Sequence, residues 1–423
     1  MKTTRTITLA MALVMPLALL AQHSYTAEEV SKMAIEHNIS VRTADNQISQ
    51  AAETRKDTYN GFLPKVSASA IGFAADKHLL DLDLGLASYS ALKNGVTAGV
   101  TVMQPIYVGG RISNGYKLSK YGEDAARIQK DISIRQVGYN AQRYFWQVVD
   151  CKEALRTLDV SDSLLSKLHI DVASAVKAGL KNRNDLLKVE LEQNKNESAR
   201  IKLNNALKQS LLLLAQYIGK AQTSIDVSSP IEIGKLPDLY TMALSSSDKV
   251  EQRPEFKLLE KNIDISHTNL NIEKGKSLPT LSVGASYSYD NFFDKNNLSG
   301  AVFVTLSVPI SNLWEGGHNE KKASLQLQNA IETLQDNKEL LAIEIQKAHD
   351  DVIESWQQIK VSIKSITQAE ENLRINSNTY RAGTTTMTDM LDAQTALQNA
   401  KNEYIQAYAA YQLCIVDYKN KTE

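Results

Sequence analysis

Two stretches of the chain alternate strictly between two kinds of side chain. Leu281, Val283, Ala285, Tyr287 and Tyr289 interleave with Ser282, Gly284, Ser286, Ser288 and Asp290. Val302, Val304, Leu306 and Val308 interleave with Ala301, Phe303, Thr305 and Ser307, less sharply by polarity. Period two predicts strands at about 281–290 and 301–310, each with one face of small or polar residues. Two earlier stretches, 66–75 and 96–107, are rich in Val, Ser, Thr, Ala and Gly, and Pro105 closes the second. Strands about ten residues long with a small polar face suit a membrane β-barrel. A soluble antiparallel sheet would carry the same pattern.

The rest of the chain reads as helix. Residues 27–60 place Ala, Ile and Val at helical spacing with no Pro or Gly, predicting one helix up to Gly61. Segments 111–176 and 318–379 contain no proline, and the second contains no glycine. About 65 helical residues at 1.5 Å each would extend about 100 Å, more than a globular domain needs. Such a length points to a coiled coil or another extended helical assembly.

The last helix carries two apolar seams. Met390, Gln394, Leu397, Lys401, Tyr404, Tyr408, Tyr411, Ile415 and Tyr418 step by four and three. Ala393, Ala396, Ala400, Glu403, Ala407, Ala410 and Cys414 form a second seam one position earlier. Asp389, Asp392, Thr395, Asn399, Asn402 and Gln406 form a polar stripe. Two seams suit a helix gripped on both sides, its polar stripe facing water inside a tube. Burial in a four-helix bundle would also give a broad apolar face. On either reading Cys414 is a small packed residue rather than a redox group.

The chain repeats itself. Gly61-Phe-Leu-Pro64-Lys-Val-Ser67 has its counterpart in Lys276-Ser-Leu-Pro279-Thr-Leu-Ser282. Gln104-Pro105-Ile106 with Gly109-Gly110 corresponds to Val308-Pro309-Ile310 with Gly316-Gly317. Val176-Lys-Ala-Gly179 followed by Asp185-Leu-Leu187 corresponds to Tyr380-Arg-Ala-Gly383 followed by Asp389-Met-Leu391. The offsets of 204 to 215 residues mean a duplicated unit rather than a solenoid. The length of 423 residues would otherwise hold two or three ordinary domains. The organisation expected is a first repeat over 22–218, a linker over 219–248 and a second repeat over 249–423. Each repeat runs helix, strand, strand, very long helix, turn, helix, with helical hairpins turning near 179 and 383.

Lys2 and Arg5 precede an apolar run from Ile7 to Leu20, and Ala21 is a suitable last residue before cleavage. Residues 1–21 therefore read as a secretory signal peptide, with an N-terminal membrane anchor as the alternative. No later stretch holds eighteen apolar residues, so a membrane is entered, if at all, as a closed barrel. Lys and Arg number 47 against 48 acidic residues, which excludes a generally basic nucleic-acid binder. Cys151 and Cys414 are the only cysteines, too few for a disulfide framework. Seventeen tyrosines against seven phenylalanines suggest rings with one wet end. The seven histidines form no H-E-x-x-H, and neither G-x-S-x-G nor a phosphate-binding loop occurs. Gly109-Gly110 and Gly316-Gly317 are expected to be strand-to-helix turns. No catalytic residue, metal or cofactor is expected.

The paired motifs V-K-A-G-L-K-N-R-N-D-L-L at 176–187 and Y-R-A-G-T-T-T-M-T-D-M-L at 380–391 resemble the TolC family of outer membrane efflux proteins. So do the Q-P-I-Y-V-G-G-R run at 104–111, the signal peptide and the duplicated order of elements. The resemblance covers nearly the whole mature chain. It implies a mainly α protein with a membrane β-barrel: a homotrimer whose twelve-stranded barrel in outer-membrane lipid continues into a long periplasmic α-helical barrel. Function would be exit of small toxic compounds, metals or secreted polypeptide. The implied partners are a periplasmic adaptor and an inner-membrane transporter of the RND, ABC or MFS type, with no nucleic acid. Ala178-Gly179-Leu180 and Ala382-Gly383-Thr384 match the family's adaptor-docking turns. Asp185 and Tyr380 fall where the family has a hydrogen bond that holds the coils shut. Asp389 and Asp392 fall on its charged constriction ring, and Thr385 stands where the type member has a gate arginine. Read without the resemblance, each of these aspartates is equally a helix cap or a solvated first-turn charge. Two other classes remain: an envelope coiled-coil structural or adhesion protein, which leaves the strands and the duplication unexplained, and a soluble periplasmic adaptor, which predicts a single hairpin.

Overall fold

The computed structural model describes residues 24–77, 79–83, 85, 88–91, 93–220, 225–241, 248–291 and 296–422. The expected signal peptide at 1–21 lies outside the described residues, as does part of the expected linker.

The chain opens with β1 (Ser24–Tyr25), α1 (Ala27–His37) and α2 (Ile39–Asn60). Strands β2 (Lys65–Ala74), β3 (Leu80–Asp83), β4 (Ser88–Ala91) and β5 (Asn94–Val108) follow, then α3 (Arg111–Lys177), α4 (Arg183–Tyr217) and β6 (Asp226–Val227). The remainder is α5 (Asp248–Gln252), α6 (Pro254–Lys276), β7 (Thr280–Asp290), β8 (Asn297–Ser307), α7 (Asn312–Arg381) and α8 (Met387–Thr422). The long helices run 67 and 70 residues. Among the described residues no helix is long and apolar enough to cross a membrane.

Three departures from the sequence reading have local causes. The helix expected over 27–60 is two, because Asn38 leaves helical geometry at ψ 138° and caps α1 through its backbone N–H to Ala34 O. A short hairpin, β3–β4, stands where no strand was expected. Gly316 and Gly317 are not a turn: they lie in the second turn of α7, whereas Gly109 and Gly110 do turn the chain at positive φ.

The chain divides into two compact units. One contains residues 39–136, 241–351 and 416–423, and its centre is an antiparallel sheet in the order β2-β5-β7-β8. The register sorts the side chains between two faces, since successive residues of a strand point to opposite sides. Val66, Ala68, Ala70, Val100, Val102, Val283, Tyr287, Tyr289, Leu298, Val302, Val304 and Leu306 share one face. Ser67, Ser69, Thr101, Ser282, Ser286, Ser288, Ser299 and Thr305 share the other, with Ile71, Phe73, Met103 and Phe303 among them. Both faces are solvent-exposed in the isolated chain, and Val302 is 81% exposed. No strand pairs with the outer edge of β2 or of β8 among the described residues. The same unit needs two glycines where β5 ends against α6. A Cβ on Gly109 would stand 2.1 Å from Gly275 O, and one on Gly275 2.3 Å from Gly109 O.

The other unit contains residues 24–38, 137–240 and 352–415 and is helical. Its segment 231–240 is held on α7 and α8 by aromatic side chains whose polar tips bond the backbone. Tyr404 Oη donates to Glu232 O (2.9 Å) and Lys235 O (2.6 Å), and Trp356 Nε1 to Pro237 O (3.0 Å). Tyr411 Oη accepts from Tyr240 N and donates to Asp238 O, both at 2.8 Å. Burial pushes the Tyr404 hydroxyl up to about 12. Lower down, Ser161 Oγ of α3 accepts from Gln394 Nε2 of α8 (2.8 Å) and Asn196 Nδ2 of α4 (2.9 Å), all three buried. A polar triad inside apolar seams fixes how three helices are staggered. Of the large seam on α8, Met390, Gln394, Tyr404, Tyr411 and Tyr418 are buried. The alanine seam is split, with Ala393, Ala400 and Ala407 buried and Ala396 and Ala410 exposed.

Candidate functional site

The two hairpin tips are built alike. At the first, Leu180 N bonds Ala175 O (2.9 Å) and Gly179 N bonds Val176 O (3.0 Å). At the second, Thr384 N bonds Thr379 O (2.9 Å) and Gly383 N bonds Tyr380 O (3.0 Å). Each is a Schellman closure, which requires a left-handed residue, and Gly179 and Gly383 supply it at φ 73° and 76°. Nothing lies within 4 Å of a Cβ built on either glycine, so the tips are open. Ala178, Leu180, Ala382 and Thr384 are exposed around them, Leu180 at 77%.

Each returning helix begins with a cap. Asn182 Oδ1 accepts from Asn184 N (3.0 Å), which puts Asp185 third in α4. Thr386 Oγ1 accepts from Asp389 N (3.2 Å), while Asp389 Oδ2 accepts from Thr386 N (3.0 Å), Thr386 Oγ1 (2.6 Å) and Thr385 Oγ1 (2.9 Å). This is a reciprocal capping box with Asp in the usual Glu position. The Thr386 bonds, then Thr385 and the Lys188 charge, hold the Asp389 carboxyl below the usual carboxylate range. Thr385 therefore bonds inside its own hairpin.

Below the tips, α3, α4, α7 and α8 share one buried cluster: Leu165, Leu168, Val172, Val189, Tyr380, Met387, Met390 and Leu391. Tyr380 is 6% exposed and its hydroxyl has no hydrogen-bond partner. Burial, followed by the negative charge of Asp185, raises its pKa. Asp185 is thus near Tyr380 without a hydrogen bond to it. Asp389 and Asp392 are exposed, on the polar stripe of α8. The structure brings Asp185, Tyr380, Thr385 and Asp389 to the same end of the helices, beside both hairpin turns. Two lysines that sequence reasoning passed over meet them there. Lys188 Nζ donates to Thr388 Oγ1 (2.8 Å), and Lys181 Nζ stands 4.2 Å from the centre of the Tyr380 ring. Thr386-x-x-Asp389 is a legible capping signature; the lysine contacts, about 200 residues apart in sequence, have none.

Residues 246–413 match the family model described as outer membrane efflux protein. The match spans α5, α6, β7, β8, α7 and most of α8, that is, the second repeat. No curated protein sequence matches the chain. Among solved structures, the chain superposes on CusC with a TM-score of 0.81 at 14% identity, covering 94% of this chain and 92% of that one. The Campylobacter jejuni CmeC outer membrane channel gives 0.78 at 17% identity, with 94% and 85% covered. The open state of the Neisseria gonorrhoeae MtrE outer membrane channel gives 0.75 at 16%, with 94% and 88% covered. These likenesses cover 94% of the chain, so they extend over the part that the family model does not match.

Proposed function

We infer that three copies of this chain form an outer-membrane exit channel, a passive duct for efflux. The observation that carries the reading is the two-faced sheet with open edges. A sheet with one apolar face and one small polar face suits lipid on one side and water on the other. Four strands are too few to close a barrel, whose smallest common form has about eight, so copies must share one. The directions of the strands permit it. β2 and β8 run oppositely, so β8 of one copy laid beside β2 of the next continues the antiparallel order around a ring. Twelve strands from three copies is the closure that the family resemblance supplies.

The helical hairpins form the periplasmic conduit of this channel, and their tips its closed end. Asp185, Tyr380, Thr385, Asp389 and Asp392 line or hold the constriction. Three symmetry copies of Asp389 and Asp392 in a narrow pore favour cations. Asp389 keeps its helix cap while doing so, because its depressed pKa leaves it charged at neutral pH. The exposed turns Ala178-Gly179-Leu180 and Ala382-Gly383-Thr384 receive a periplasmic adaptor, which links the duct to an inner-membrane RND, ABC or MFS transporter. Energy comes from that transporter. An envelope coiled-coil protein would need no two-faced sheet.

Reconstitution in planar bilayers tests the reading. Purified protein should give discrete conductance steps whose cation selectivity falls in Asp389→Asn with Asp392→Asn. A membrane that stays silent at all protein concentrations would refute the channel.

A further inference from the structure

Among the described residues, two polar contacts join the first hairpin to the second beside the turns, and both are made by lysines of the first. Lys188, in the second turn of α4, reaches Thr388 in the first turn of α8. Lys181, in the turn itself, lies over the face of Tyr380 at the end of α7. Their receivers flank Gly383, one before it and one after, so the second hairpin is gripped on both arms. Both lysines are half-buried.

No other side chain at the tip does this work. Tyr380 makes no hydrogen bond through its hydroxyl, so Asp185 does not tether it. Thr385 is committed to Asp389 within its own hairpin. A cation over the ring face engages Tyr380 without using its hydroxyl. The Lys188 ammonium also lies close enough to Asp389 to favour its charged form. One ammonium thus holds Thr388 and offsets the carboxylate next to it.

We propose that Lys181 and Lys188 are the clasp that keeps the second hairpin closed against the first, taking the place of a tyrosine–aspartate hydrogen bond and of a cation at position 385. The inference rests on the channel reading for its consequence, gating, but not for the contact itself. The clasp is released by a competing anion or by mechanical displacement. An adaptor segment bearing carboxylates is the chemistry that would compete for both lysines.

The test uses full-length protein spin-labelled beside the two turns, at Ala178 and Ala382, in a background with Cys151 and Cys414 replaced. In the parent the distance distribution between labels should be narrow. Lys181→Met with Lys188→Met should broaden it and raise the separated population at least about tenfold, from one cation–π contact and one charge-assisted hydrogen bond. Lys181→Arg with Lys188→Arg should restore the narrow distribution, which a merely structural loss would not explain. Lys202→Met, at an exposed position of α4, should change nothing. An unchanged distribution in the double methionine variant, with helicity intact by circular dichroism, overturns the clasp. Bilayer recordings then separate the two readings. A parent that conducts, with a methionine variant that opens more often, supports both; a parent that never conducts refutes the channel while the label distances still decide the clasp.

Discussion

Replacing Tyr411 by Phe isolates the contribution of a single hydroxyl. Tyr411 is 1% exposed, and its ring would stay in place, so the change leaves no aromatic-sized cavity. What is lost is the atom that accepts from Tyr240 N and donates to Asp238 O. Removing the partner of buried backbone groups costs about 1–3 kcal/mol. The neighbouring anchors survive: Tyr404 still holds Glu232 O and Lys235 O, and Trp356 still holds Pro237 O. The destabilisation should therefore be local, loosening 238–240 while 231–235 stays fastened. Local opening converts that energy into about a 5- to 150-fold faster exchange of amide hydrogens. Hydrogen–deuterium exchange with mass spectrometry on peptides covering 231–241 reads it directly. Unchanged protection there, or faster exchange spread evenly along α7 and α8, would refute the view that tyrosine tips strap this segment down.

Other consequences are as direct. Val302→Arg puts a charge in mid-strand on the apolar face and should destabilise the membrane-inserted protein by about 2–4 kcal/mol, whereas Thr305→Arg on the polar face should be tolerated; denaturant unfolding in detergent micelles compares them. Gly109→Ala places a methyl 2.1 Å from Gly275 O, in a residue held at φ 65°, and should lower the yield of folded protein sharply. Gly179→Ala, which meets nothing within 4 Å, should fold with a loss confined to the strained backbone, about 1 kcal/mol, as thermal unfolding would show. The raised pKa of Tyr404 means the folded state favours the neutral phenol. That stability is fully present below pH 10 and should be lost as pH rises through about 12, a step that Tyr404→Phe removes from an alkaline titration followed by circular dichroism.

The strands and long helices were legible because their periods are long and uninterrupted: β7 and β8 alternate over eleven residues each, and α7 lacks proline throughout. The hairpin β3–β4 was missed because four residues alternate too briefly to register. Gly316-Gly317 read as a turn by analogy with Gly109-Gly110, yet helix propensity at two glycines is a weak term that the surrounding turns of α7 override. At the tips, Gly179 and Gly383 announced themselves. Which side chains hold the tips together did not, because Lys181 and Tyr380 are 199 positions apart and nothing local pairs them. The capping box of Asp389 was half legible: the sequence allowed a helix cap as well as a pore charge, and the structure shows the carboxylate serving as a cap.

The central claim is that copies of this chain join edge to edge and close after three. One cysteine on each open edge, on the same face of the sheet, such as at Ala68 on β2 and Val304 on β8, puts that claim to a direct test in protein with Cys151 and Cys414 replaced. Oxidation should give dimers and trimers on a non-reducing gel, with the ladder ending at three. Monomer only, or a ladder that continues beyond three, would contradict it.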